Sequence, residues 1–146
     1  MEGEKTKILI IDDDNFLLDM YALKFSQNNF EVYTALSGIQ AIKKLQGGLN
    51  PNIILMDVIM PEMDGFEMLE KMNTNQLSPN SIKIILSNKS QQEDIDRGNA
   101  LGVAGYIVKA NSTPMEVINQ VTSILTKKVN PDAKSGSRPE SVGIKK

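Results

Sequence analysis

Apolar residues along this chain fall into five short runs separated by stretches of helical period. Lys7-Ile8-Leu9-Ile10-Ile11 is a β-branched run that stops at Asp12-Asp13-Asp14 and reads as a buried strand ending in acid. Between Asn15 and Asn28, Phe16, Leu17, Met20, Leu23 and Phe25 recur at the spacing of a helix face. Phe30 to Ala35 partly alternates, as a strand at a sheet edge does. Ser37 is placed to cap a second helix, with Ile39, Ala41, Ile42 and Leu45 inward and Gly47-Gly48 ending it. The alternation then repeats. Ile53-Ile54-Leu55-Met56 stops at Asp57, and a loop containing Pro61 leads to a helix over 66–72. Ile82 to Leu86 stops at Ser87 and precedes a polar helix over 91–101. Ala104 to Val108 stops at Lys109, and a last helix over 113–127 sets Val117, Ile118, Val121, Ile124 and Leu125 on one face.

Five strands alternating with five helices predict an α/β fold, a parallel sheet covered on both faces. In such sheets ligands bind outside the carboxyl ends of the strands, which is where the polar residues fall. The domain is expected over 7–128, behind an N-terminal extension at 1–6. From Asn130 the chain turns to Pro131, Ser135, Gly136, Ser137, Pro139 and charges, too little apolar surface to offset ordering entropy. A flexible C-terminal tail, or a linker cut short, is therefore expected over 129–146.

Composition narrows the chemistry. A length of 146 residues suits one core, and a net charge of −2 gives no electrostatic basis for direct nucleic-acid binding. No apolar run approaches the roughly 20 residues that span a bilayer. Met1 to Lys7 lacks the basic-then-apolar pattern of a secretion signal, so no membrane contact and a cytoplasmic location are expected. The chain has no cysteine and no histidine, which removes disulfides, thiol nucleophiles, histidine triads and His/Cys zinc sites. Catalysis must run on carboxylates, hydroxyls, lysines and hard cations.

Asp12, Asp13, Asp57, Ser87 and Lys109 each stand at or just past the end of an expected strand. Polar residues there can simply cap the next helix, and Asp14 reads that way. An acid, a hydroxyl and a lysine at four strand ends together ask for more. Clustered carboxylates repel, so ionising them requires a cation or a raised pKa. Their hard oxygens suit Mg²⁺, which recruits phosphate, and a neighbouring carboxylate can then form an acyl phosphate. Lys109 and the Ser87 hydroxyl would meet charge on the phosphoryl oxygens. The methionines at 56, 60, 63, 68 and 72 read as packing. Pro61 and Gly65 read as loop punctuation.

The segment Asp57-Val58-Ile59-Met60-Pro61-Glu62-Met63-Asp64-Gly65-Phe66-Glu67 closely resembles the phosphoacceptor loop of response-regulator receiver domains. With Ile10-Ile11-Asp12-Asp13-Asp14, Ser87 and Lys109, the resemblance spans residues 6–128. It implies a doubly wound, flavodoxin-like sheet of order 2-1-3-4-5. It also implies that Asp57 is phosphorylated, and that Asp12, Asp13, Asp57 and the Ile59 main-chain carbonyl hold Mg²⁺. Ser87 and Lys109 would pair with the phosphoryl group, and Ser87 and Tyr106 would switch together. Without the resemblance, Tyr106 reads as an amphipathic side chain with its hydroxyl at the surface. The implied partners are a sensor histidine kinase or phosphotransfer protein upstream. Downstream, a protein target or a second copy would bind the face formed by the fourth helix, fifth strand and fifth helix. Such a domain catalyses only its own phosphorylation and dephosphorylation. It would be a stand-alone receiver or part of a larger regulator.

Two positions depart from the pattern. Ala110 stands where the family usually has a proline after a cis bond; a cis bond before a non-proline costs about 2.5–4 kcal/mol. A trans bond with a rearranged loop, or a strained bond, is expected. Asn88 stands where a small residue is common and is expected to narrow access to Asp57. An apolar Ile59 cannot orient a hydrolytic water, which predicts slow self-dephosphorylation. Two other readings compete. An aspartate-nucleophile phosphatase of the haloacid-dehalogenase type would use Asp12 and Asp14, and needs a further acidic pair on a strand after Lys109; Glu116, Asp132 and Glu140 follow, outside any expected strand. A receiver-like module that binds partners without taking phosphate is the other.

Overall fold

The computed structural model describes residues 4–129. Its strands are β1 (Thr6–Ile11), β2 (Phe30–Ala35), β3 (Ile53–Met56), β4 (Ile82–Ser87) and β5 (Gly105–Val108). Its helices are α1 (Asn15–Gln27), α2 (Gly38–Gln46), α3 (Gly65–Asn75), α4 (Gln92–Ala100) and α5 (Pro114–Val129). All neighbouring strands pair parallel, in the order β2-β1-β3-β4-β5. β2 is therefore at an edge, as its partial alternation predicts. The tail from Asn130, including Pro131 and Asp132, lies outside the described residues, as do residues 1–3 of the N-terminal extension.

β3 is apolar throughout, and β1 and β4 are so over most of their length, because both faces of the sheet are covered. Ile8, Ile10, Ile53, Leu55, Ile84 and Leu86 pack with Leu18, Tyr21 and Phe25 of α1 and Val117, Ile118 and Val121 of α5. Leu9, Ile11, Ile54, Met56 and Ile85 pack with Ala41, Ile42 and Leu45 of α2 and Phe66, Met68, Leu69 and Met72 of α3. Burying each such side chain contributes roughly 1.5–3 kcal/mol. The two layers hold the strand ends in one plane, which is what lets distant residues form a site. Met56, Met60, Met68 and Met72 are buried in this packing, as expected of them.

Local signals behave as their chemistry requires. Asp14 caps α1, its carboxylate accepting the Leu17 N–H at 3.2 Å, and Ser37 caps α2. α3 begins at Gly65 and runs longer than apolar spacing alone predicts. Asp64 and Glu67 form a reciprocal capping box there that satisfies two helix-end donors. Three apolar positions depart from expectation. Phe16 and Leu23 of α1 and Ile39 of α2 are exposed, because the sheet is met by Leu18, Tyr21, Phe25, Ala41, Ile42 and Leu45 instead. The α1 face is thus rotated relative to the one read from spacing.

α4 is the least anchored helix, with only Asp94 and Gly98 buried. Gly98 comes so close to the sheet that an added methyl would lie 3.1 Å from Ile85 Cδ1 and 3.3 Å from Val103 Cγ2. Arg97 lays its guanidinium 4.5 Å from the centre of the Phe66 ring, a contact that ties α4 to α3.

Candidate functional site: an acidic cluster at the strand ends

Backbone hydrogen bonds extend the parallel ladder beyond the strands proper. The Asp57 N–H donates to the Ile11 carbonyl at 3.0 Å and the Asp12 N–H to the Ala35 carbonyl at 3.2 Å. Asp12 and Asp57 are therefore held on adjacent strands. They are 3 % and 8 % exposed, whereas Asp13 is open to solvent. One carboxylate oxygen from each of Asp12, Asp13 and Asp57 lies within 4.8 Å of the other two.

Lys109 closes the cluster, its Nζ 2.7 Å from Asp12 Oδ2 and 2.8 Å from Asp57 Oδ2. The remaining oxygens are tied to the backbone. Asp12 Oδ1 accepts the Asp14 N–H at 3.0 Å and Asp57 Oδ1 accepts the Ile59 N–H at 3.2 Å. Burial pushes the Asp12 carboxyl above its ordinary pKa, against the opposing pull of Lys109 and the Asp14 amide. Burial alone would lower Lys109. Its hydrogen bonds to Asp12 and Asp57 outweigh that and hold the ammonium above its usual range. Three carboxylate oxygens in mutual reach form an all-oxygen donor set that suits a hard divalent cation such as Mg²⁺. The Ile59 side chain is 60 % exposed beside this cluster.

Gly65 fixes the loop after β3. Its N–H donates to the Val58 carbonyl at 2.8 Å, and a Cβ there would fall 2.5 Å from the Asp57 carbonyl oxygen. Only glycine permits that approach, so its role is close packing against the acidic residue's own backbone.

On β4, Ser87 is fully buried and pairs in register with Val108, one residue before Lys109. Its Oγ accepts the Lys89 N–H at 3.2 Å, which leaves the hydroxyl proton for another acceptor. Tyr106 donates its hydroxyl to the Lys89 carbonyl. Burial, then the charges of Asp94 and Asp57, push the Tyr106 hydroxyl up to about 12. Lys89 is further held by its ammonium, 3.0 Å from Asp94 Oδ1.

No cis peptide bond occurs among the described residues. The Lys109–Ala110 bond is trans, one of the two outcomes expected for alanine at 110, and Lys109–Asn111 form a 3-10 turn. Asn88, read from sequence only as bulk near Asp57, directs its Oδ1 to the Ala110 N–H at 2.8 Å. Residue spacing gave no sign of this contact. The lack of proline at 110 was its one available signal, since proline has no N–H to give. After Lys109, the described residues hold no strand, and Glu116 lies in α5, so the second acidic strand required of a haloacid-dehalogenase phosphatase is not found among them.

Among curated proteins, the response regulator SaeR of Staphylococcus aureus is 30 % identical over 122 residues, 84 % of this chain and 51 % of that protein. The chain thus spans about half the length of the curated relatives it matches. The solved chemotaxis response regulator CheY4 of Vibrio cholerae superposes with a TM-score of 0.75 at 26 % identity, covering 83 % of this chain and 99 % of that one. The receiver domain of the Francisella response regulator 1452 gives a TM-score of 0.75 at 27 % identity, over 85 % and 99 % of the two chains. Residues 8–122 match the family profile of the response regulator receiver domain, and the chain belongs to that family.

Proposed function

We propose that the unit over 7–128 is a phosphorylation switch in which Asp57 accepts a phosphoryl group from a phosphohistidine on another protein. The observation that carries this reading is the Asp57 carboxylate, enclosed, held beside Asp12 and Asp13, and met at 2.8 Å by the Lys109 ammonium. A carboxylate oxygen of Asp57 attacks phosphorus as the donor's phosphorus–nitrogen bond breaks, leaving an acyl phosphate. Asp12, Asp13, Asp57 and the Ile59 main-chain carbonyl would hold Mg²⁺, which when bound offsets negative charge on the phosphoryl oxygens. Lys109 offsets the same charge from the β5 side.

The modification adds roughly −1.5 to −2 charges and three strong acceptors. Ser87 is suited to respond, because its hydroxyl can donate to a phosphoryl oxygen while still accepting from Lys89. Tyr106 is tied to that same loop through the Lys89 carbonyl. A change in the loop is thereby felt at the face of α4, β5 and α5, where a protein target or a second copy binds. Partners shift the equilibrium by their differential affinity for the two states and by no more. A sensor histidine kinase or phosphotransfer protein supplies the phosphoryl group, which places the reaction in the cytoplasm. The exposed, apolar Ile59 offers no group to orient a hydrolytic water, so the phosphoryl group is lost slowly. The only catalysis in this reading is the chain's own phosphorylation and dephosphorylation.

The test is intact-mass measurement after incubation with acetyl phosphate and Mg²⁺. Wild type gains one phosphoryl mass and Asp57→Ala gains none. No gain in wild type would favour the alternative, a receiver-like binding module that is not phosphorylated.

A further inference from the structure

Lys109 reaches its two carboxylates from a 3-10 turn of only three residues, Lys109–Asn111, in which no side chain is buried in the core. Something other than apolar packing must hold that turn. The turn is closed locally by the Ser112 N–H donating to the Lys109 carbonyl at 3.2 Å, and its backbone is tied to another strand end by the hydrogen bond from the Ala110 N–H to Asn88 Oδ1, 2.8 Å long and spanning 22 residues of sequence. Its acceptor belongs to the residue directly after buried Ser87, and its donor to the residue directly after Lys109. The two departures from the family pattern therefore meet: a residue with an N–H at 110, and a side-chain acceptor at 88.

We propose that Asn88 is the positioning residue of Lys109, fixing the turn that presents its ammonium to Asp57 and coupling it to the loop that carries Ser87. This rests on the phosphorylation reading above. A displacement of the Ser87 loop is then passed to Lys109 through one side chain. Proline at 110 would remove the donor. It would also disfavour the helical backbone of Lys109 before it, so the loop is built around alanine.

The test compares Asn88→Ala in the native chain and in Ala110→Pro, with two readouts. The saturating rate of Asp57 phosphorylation by acetyl phosphate in Mg²⁺ should fall roughly 3- to 10-fold in Asn88→Ala, the range for one net hydrogen bond, with little change in half-saturating donor. In Ala110→Pro, which has no N–H to lose, the same substitution should change the rate by no more than about twofold. The second readout is hydrogen exchange of the Ala110 amide without Mg²⁺ or donor, which should quicken in Asn88→Ala while amides of β1 and β3 stay protected. Equal rate losses in both backgrounds, or unchanged Ala110 exchange, overturns the coupling. If wild type takes no phosphoryl group, the functional reading fails by itself, and the exchange measurement together with the ¹⁵N resonance of Lys109 Nζ decides the positioning role. An unmoved Lys109 resonance in Asn88→Ala then overturns it.

Discussion

The Lys109 ammonium lies 2.8 Å from Asp57 Oδ2 across 52 residues of sequence, and 2.7 Å from Asp12 Oδ2. Among the described residues it is the one cation between two enclosed carboxylates, so its removal leaves like charges facing each other. Lys109→Met in Mg²⁺-free buffer should lower the unfolding free energy by about 3 kcal/mol, the low end for breaking a buried ion pair. Urea denaturation measures it. A loss under about 0.5 kcal/mol would class the contact with surface pairs.

Asp13 separates metal binding from folding. It contributes an oxygen to the cluster yet is exposed and outside the Lys109 pairing. Asp13→Asn should change metal-free stability by no more than about 0.5 kcal/mol. Wild type should gain about 2.7 kcal/mol when Mg²⁺ stands at a hundredfold its dissociation constant, a gain reversed by a chelator. The variant should need markedly more Mg²⁺ for the same gain. Identical Mg²⁺ titrations of the two proteins would remove Asp13 from the ligand set.

Gly65 offers a steric test. Gly65→Ala drives a methyl against the Asp57 carbonyl and should cost about 1–3 kcal/mol, with slower phosphorylation because the Asp57 backbone must shift. Gly47→Ala is the control, since a Cβ there would come no closer than 3.4 Å to a neighbour, the Lys43 carbonyl oxygen, and its φ is −80°. There thermal unfolding should move little, within about 0.5 kcal/mol. Equal costs at both glycines would contradict the close approach.

Tyr106 should ionise late. Its hydroxyl is held protonated in the folded protein to about pH 12, against 10.0 when exposed. The folded state therefore binds the proton more tightly. The resulting stability is complete below pH 10 and is lost between 10 and 12 as the unfolded chain ionises first. The difference between ultraviolet pH titrations of wild type and Tyr106→Phe isolates this group. A difference curve centred near 10 would mean that the ring is open to water.

The fold was legible in the sequence because both signals that define it are local. Continuous apolar runs mark strands buried on two faces, and four of the five, all but β2, end at a polar residue of the cluster or beside it. The residues at the strand ends that gather in the cluster or beside it, Asp12, Asp13, Asp57, Ser87 and Lys109, were legible for the same reason. Helix faces were less so. Phe16, Leu23 and Ile39 sit at apolar spacing but face solvent, since periodicity defines a stripe and not which edge of it meets the sheet.

Strand ends can be read one at a time, so residue types and their order along the chain determined the set of groups that this site contains. Which atoms of that set touch is decided by strand pairing and loop geometry. The ladder bond from Asp57 to Ile11 sets two acids side by side, the 3-10 turn brings Lys109 onto both, and Asn88 finds the free N–H of Ala110. Those contacts join residues 22 to 97 positions apart, beyond the range of any local pattern, and they exist only once the sheet has brought its strand ends together.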